Sequence, residues 1–172
     1  MTFAQAILGF VLLQRLAELW YARRNTERLL DEGATEHGGE HYPLIVLLHA
    51  GWLAALVFAT PEDAAVSMPW LAVFGLLQLL RLWVLATLGR FWTTRVISGP
   101  RLPLVRGGPY RFLRHPNYVV VAGEIAVVPM IFGLWPVAVV FSLANLWLMR
   151  LRIQVEDRAL AERERAADGD PV

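Results

Sequence analysis

Five runs of fifteen to twenty mostly apolar residues, parted by arginine-bearing stretches, limit what this chain can fold into. A helix needs about 20 predominantly apolar residues, with a range of about 17–25, to cross the hydrocarbon core of a bilayer. Thr2–Tyr21, Tyr42–Thr60 and Pro69–Leu88 meet that length, Tyr118–Phe132 is short, and Leu134–Leu151 meets it again. Composition agrees: 56% of the residues are hydrophobic and 18% charged, against about 45–50% and about 25% in soluble domains. The last two runs are separated only by Gly133-Leu134-Trp135-Pro136, which is turn chemistry. The pattern predicts an all-α, polytopic membrane protein of about five transmembrane helices ending in a helical hairpin, with Pro129 kinking the hairpin's first arm.

Arginine placement tests this count. All sixteen basic residues are arginine. Three lie in 22–41, six in 89–117 and five from 150 onward, while the connections 61–68 and 133–136 hold none. Five crossings put these fourteen on one side of the membrane, which the positive-inside rule makes cytoplasmic. The N-terminus is then outside and the C-terminus cytoplasmic, in a cell membrane. The first run has no basic segment before it and no small-residue cleavage site after it, so it reads as a retained span rather than a signal peptide. Residues 22–32 read as a helical continuation of span one, ended by Gly33. One membrane domain over 1–165 is expected, followed by a flexible tail over 166–172.

The absence of lysine excludes Schiff-base chemistry, and the absence of cysteine excludes disulfides, thiolate metal sites and cysteine nucleophiles. There is no GxSxG, Walker loop or soluble dinucleotide fingerprint. His37 and His41 are four apart but enclose two glycines and do not make HExxH, so no metal is expected. His49 shares a helical face with Tyr42.

The segment Gly107-Gly108-Pro109-Tyr110-Arg111-Phe112-Leu113-Arg114-His115-Pro116-Asn117-Tyr118 gathers chemistry at the entry of span four. Glycines permit close backbone approach, Pro116 suits a first helical turn, and a helix N-terminus beside Arg114 and His115 attracts an anionic group. The plainer alternative is an interfacial anchor of Arg and Tyr at the headgroup boundary. Charges inside apolar runs are costly and face a bundle interior or a cavity. Glu124 lies seven residues after Asn117, on one face. Asn145, Arg152 and Glu156 recur on one face of span five. The two faces could converge, or Arg152 and Glu156 could be an ordinary i,i+4 pair. Arg81 could snorkel or pair with Glu124 or Glu18, and Arg15 with Glu18.

From Gly108-Pro109-Tyr110 through Arg114-His115-Pro116-Asn117-Tyr118 to Arg152-Ile153-Gln154-Val155-Glu156-Asp157, the chain resembles the isoprenylcysteine carboxyl methyltransferase family. The resemblance covers about 89–160; Asp157 stands where the family commonly has Glu. Arg23-Arg24-Asn25, His41-Tyr42-Pro43 and Thr94-Arg95-Val96-Ile97 are similar to a bacterial branch whose members O-methylate alkylpyrones or alkylresorcinols. The resemblance implies S-adenosyl-L-methionine as cofactor, held by His115, Tyr118, Arg114, Pro116, Tyr110 and Glu156. It implies a catalytic set of Arg152, orienting the acceptor, and Glu156; Glu124 joins it from geometry, as a wall of the same site. Expected partners are a lipophilic small-molecule acceptor, admitted past Trp83, Phe91 and Trp92, and membrane lipids, with no nucleic acid. The alternatives are an NADPH-dependent membrane reductase of the sterol-reductase type and a non-catalytic membrane partner.

Overall fold

The computed structural model of the protein describes residues 2–99, 102 and 105–167. Among the described residues, five helices carry the fold: α1 (Phe3–Asp31), α2 (Tyr42–Ala59), α3 (Met68–Leu88), α4 (Pro116–Ile131) and α5 (Trp135–Ala167). Two short strands, β1 (Thr35–His37) and β2 (Val96–Ser98), and three single turns of 3₁₀ helix complete it. Helices α1, α2, α3 and α5 are long and apolar enough to cross a membrane by length and composition. The protein is a multi-pass membrane protein.

Helix α4 has 16 residues, about 24 Å at 1.5 Å per residue, yet it runs beside α3 from one end to the other. The Ser67 amide, capping the start of α3, donates to the Ile131 carbonyl at the end of α4 (2.9 Å). At the opposite end the Trp92 indole, just past α3, donates to Asn117 in the first turn of α4 (3.3 Å). Helix α4 therefore traverses the same layer as α3. Gly123 makes their close approach possible: a Cβ there would stand 2.8 Å from a Leu77 methyl. The proline expected to kink this arm, Pro129, sits in its last turn, where the helix stops two residues later. A turn through Gly133 (φ 71°) then reverses the chain into α5.

Apolar residues cover the outside as well as the core, as lipid contact requires. Phe10, Leu13, Trp20, Leu47, Phe58, Leu76, Val140 and Trp147 are all exposed. Inside, two apolar layers are stacked along the bundle. One joins Ala4, Ile7 and Val11 to Trp52, Leu56, Phe74, Ile125, Val128 and Ile131. The other joins Ala22, Val84 and Trp92.

A charged layer also lies buried among α1, α3 and α4. Arg15 pairs with Glu18 (2.8 Å), and Arg81 bridges Glu18 (3.1 Å) and Glu124 (2.9 Å). Arg15 and Arg81 each also bind the second Glu124 oxygen. Gln78 donates to Glu124 (2.7 Å), and Gln14 donates to Glu18 (2.9 Å) and Gln78 (2.7 Å). Two arginines thus neutralise two glutamates, each pair with further hydrogen bonds, which is what burial of charge demands.

Helix α1 continues past the apolar run as expected. It ends at Asp31, and Gly33 follows with φ 88°. The chain then pairs β1 with β2 antiparallel, Glu36 opposite Ile97. This ribbon was not expected; strands of three residues display too few alternations to show a period. Arg95 fastens it: both Glu36 oxygens accept from one of its amines (2.9 and 2.7 Å), and its guanidinium lies 4.4 Å from the Tyr42 ring centroid. Helix α5 runs through Ala167, so the expected tail begins within the helix, and the remainder of that tail lies outside the described residues.

Candidate active site

The site forms at the end of the bundle where α3 stops, α4 begins and α5 extends past both. Pro116 occupies the first turn of α4, where its missing N–H costs nothing. His115 is thereby held as the residue before the helix, and Tyr118 follows one turn along. A cavity of about 220 Å³ opens beside them. Its polar lining includes Arg95, Tyr110, Arg114, His115, Asn117, Tyr118, Arg152 and Glu156.

At its centre, Tyr118 donates its hydroxyl hydrogen to Glu156 (2.5 Å) and accepts from the Arg152 Nε (2.8 Å). The Arg152 guanidinium lies 5.6 Å from the Tyr118 ring centroid. Arg152 and Glu156 are four apart on α5, yet the tyrosine hydroxyl stands between them and fixes both. Arg152 makes no ion pair with an acid among the described residues, and it lines the cavity with its planar guanidinium tied to the protein through Nε. His115 stands with Nδ1 3.8 Å from Glu156 and Nε2 3.3 Å from Asp157. These are ionic contacts rather than formed hydrogen bonds, since His115 Nε2 and Asp157 Oδ1 lack a hydrogen-bond partner. The Glu156 carboxylate raises the His115 pKa above its ordinary value, burial opposes it, and Asp157 adds to the rise. Arg114 pairs with Asp157 at 3.1 Å. Burial, reinforced by Glu156, pushes the Tyr110 pKa upward, so its hydroxyl stays protonated.

Apolar residues close the rest: Leu29 from α1, Leu88 and Phe91 at the end of α3, Trp92, and Ala159 and Leu160 from α5. Trp92 is buried, stacked on Tyr21 (6.1 Å, 18° between planes). Asn25 donates to the Trp92 carbonyl (2.8 Å). A second chamber of about 20 Å³ lies behind Arg152, bordered by His37, His41, Tyr42 and Thr94. Arg95, Val96 and Arg152 border both spaces.

Of the residues singled out in the sequence, Arg152, Glu156, His115, Tyr118, Arg114 and Tyr110 share the main cavity. Pro116 is buried in the supporting turn. Glu124 is a correction: it does not line the cavity but is locked in the charged layer. The face it shares with Asn117 is real, but two helical turns separate the residues. Of the residues expected to admit the acceptor, Phe91 and Trp92 line the cavity, and Trp83 lies on the outer surface against Phe112 (6.3 Å). The sequence reading missed Leu29 and Ser98, and it quoted Val96 and Ile97 in a branch-like motif without placing them at the site. The signal for Leu29 and Ser98 was the nearby branch-like motifs, Arg23-Arg24-Asn25 and Thr94-Arg95-Val96-Ile97.

The model of the isoprenylcysteine carboxyl methyltransferase (ICMT) family matches residues 70–162. The uncharacterized protein YpbQ of Bacillus subtilis is 34% identical over 160 residues, covering 91% of this chain and 95% of the relative. The cobalt-zinc-cadmium resistance protein CzcN of Cupriavidus metallidurans is 34% identical over 137 residues, covering 78% of this chain and 60% of that protein. An uncharacterized protein of Haemophilus influenzae is 24% identical over 138 residues, 78% of this chain and 77% of its own. No solved structure matches the chain.

Proposed function

The chain belongs to the isoprenylcysteine carboxyl methyltransferase family, and we propose that it is an S-adenosyl-L-methionine-dependent O-methyltransferase acting on a lipophilic acceptor. The observation that carries this reading is the Arg152–Tyr118–Glu156 unit beside His115 in one cavity.

The residues present fit the cofactor's groups. A carboxylate suits the face made by His115 and Arg114, and an ammonium or ribose hydroxyl suits Glu156. A flat purine suits the lining of Trp92, Leu88 and Leu160. When bound, S-adenosyl-L-methionine supplies a methyl group on a positively charged sulfur, which an oxygen can displace in line.

The chain's own contribution is positioning and charge. The fork of Arg152 holds an acceptor oxygen in its anionic form, which is the reactive one, without a metal or a strong base. Tyr118 keeps that fork from collapsing onto Glu156. A carboxylate or an acidic enol arrives already ionised; a phenol needs its proton taken, and His115 and Glu156 are the cavity groups able to take it. Alkylpyrones, alkylresorcinols and other lipid enols, phenols or carboxylates meet this description. The arginine-rich end faces the cytoplasm in this reading, so cofactor enters from solution and acceptor from the bilayer.

The test is calorimetric titration of the detergent-purified protein with S-adenosylhomocysteine, with NADPH in parallel. Binding of the first alone is expected. Binding of NADPH alone would replace this reading with a reductase.

A further inference from the structure

The buried charged layer stands two helical turns from the cavity on three helices at once. Seven residues separate Glu18 from Asn25 on α1, Arg81 from Leu88 on α3, and Glu124 from Asn117 on α4. Seven residues return a helix to nearly the same face about 10 Å along its axis. The second member of each pair meets the site. Asn25 holds the Trp92 and Gly89 carbonyls, Leu88 lines the cavity, and Asn117 accepts from the Trp92 indole. Between the two levels lies the apolar layer of Ala22, Val84 and Trp92. Trp92 is therefore gripped from α1 and α4 at its backbone and its ring, and the heights of those helices are fixed by the ions beyond.

Stability alone does not account for this choice of residues. Replacing a buried ion cluster by well-packed apolar side chains is often neutral or stabilising. Apolar layers, however, tolerate sliding of one helix along another, whereas Arg81 meets Glu18 and Glu124 together in one register only. The geometry points to Arg15, Glu18, Arg81 and Glu124 as positioning residues that set the height of the Trp92–Asn117 wall against Arg152, Tyr118 and Glu156. This rests on the methyltransferase reading of the cavity.

The test separates register from stability. Arg15→Met, Glu18→Met, Arg81→Met and Glu124→Met are combined, leaving the Gln14–Gln78 hydrogen bond in place. The quadruple variant is expected to stay folded, because packed apolar side chains replace the ions, yet bind S-adenosylhomocysteine at least tenfold more weakly. Parent-like affinity in the folded variant would overturn the proposal. If it fails to fold, Glu124→Asp keeps the charge and shortens its reach by one methylene. A severalfold weaker affinity is then expected with little change in melting, and unchanged affinity again overturns the proposal. Should the parent itself bind no S-adenosylhomocysteine, the methyltransferase reading fails, and register is read without a ligand. The chain has no native cysteine, so Ala22→Cys with Val84→Cys reports how α1 meets α3 in membranes. Oxidative bridging is expected in the parent background and severalfold slower with the four methionines. Equal bridging rates would overturn the proposal.

Discussion

His115 and Tyr118 make the site's behaviour measurable one side chain at a time. The pKa of His115 is raised chiefly by Glu156, so its favourable contribution is fully present below its ordinary value of 6.5 and is lost as pH rises through the elevated one. The same protonation attracts an incoming carboxylate. Affinity for S-adenosylhomocysteine should therefore weaken as pH climbs through that range, and His115→Gln should flatten the profile; calorimetry across pH reads both. Tyr118→Phe removes the hydroxyl shared by Arg152 and Glu156. A hydrogen bond to a charged group is worth about 1.5–3 kcal/mol, so kcat/KM should fall roughly ten- to hundredfold, with the protein still folded. These two residues were legible from the sequence because a short motif places them in one turn. Glu124 was misplaced for the opposite reason. One helix face tells which residues align with Asn117, but not that α1 and α3 bring Arg15 and Arg81 to meet the carboxylate first.

Segments between the helices carry as much of the site as the helices do. The helix bounds follow from hydropathy and punctuation: Pro116 opens α4, Gly133 turns it into α5, and Gly33 follows α1. The β1–β2 ribbon does not, because its pairing joins stretches some sixty residues apart. The turn Gly108–Arg111 is held hard against α3. A Cβ on Gly108 would stand 2.2 Å from the Thr87 hydroxyl, and its φ is 57°. Gly108→Ala should cost about 1–3 kcal/mol, visible as a lower melting temperature in detergent and weaker S-adenosylhomocysteine binding. Gly107→Ala is the control: its φ is −90° and nothing lies within 4 Å of the added carbon, so both quantities should hold.

For the chain in its membrane, the arginine count predicts an orientation that labelling can read, since no native cysteine competes. Glu62→Cys, in the connection after α2, should react with an impermeant maleimide on intact cells. Asp31→Cys, at the end of α1, should react only after permeabilisation. The reverse pattern would place the cavity on the far side, away from a cytoplasmic cofactor supply.

The partition at Arg152 has a consequence for divergence among relatives. All the lining of the main cavity falls within residues 70–162 except Leu29, whereas the small chamber behind Arg152 draws Glu36, His37, His41, Tyr42 and Ile45 from the first half of the chain. The two halves of the chain therefore meet at one guanidinium. Substitutions in β1 and at the start of α2 would reshape what lies behind that side chain through residues other than those that line its front.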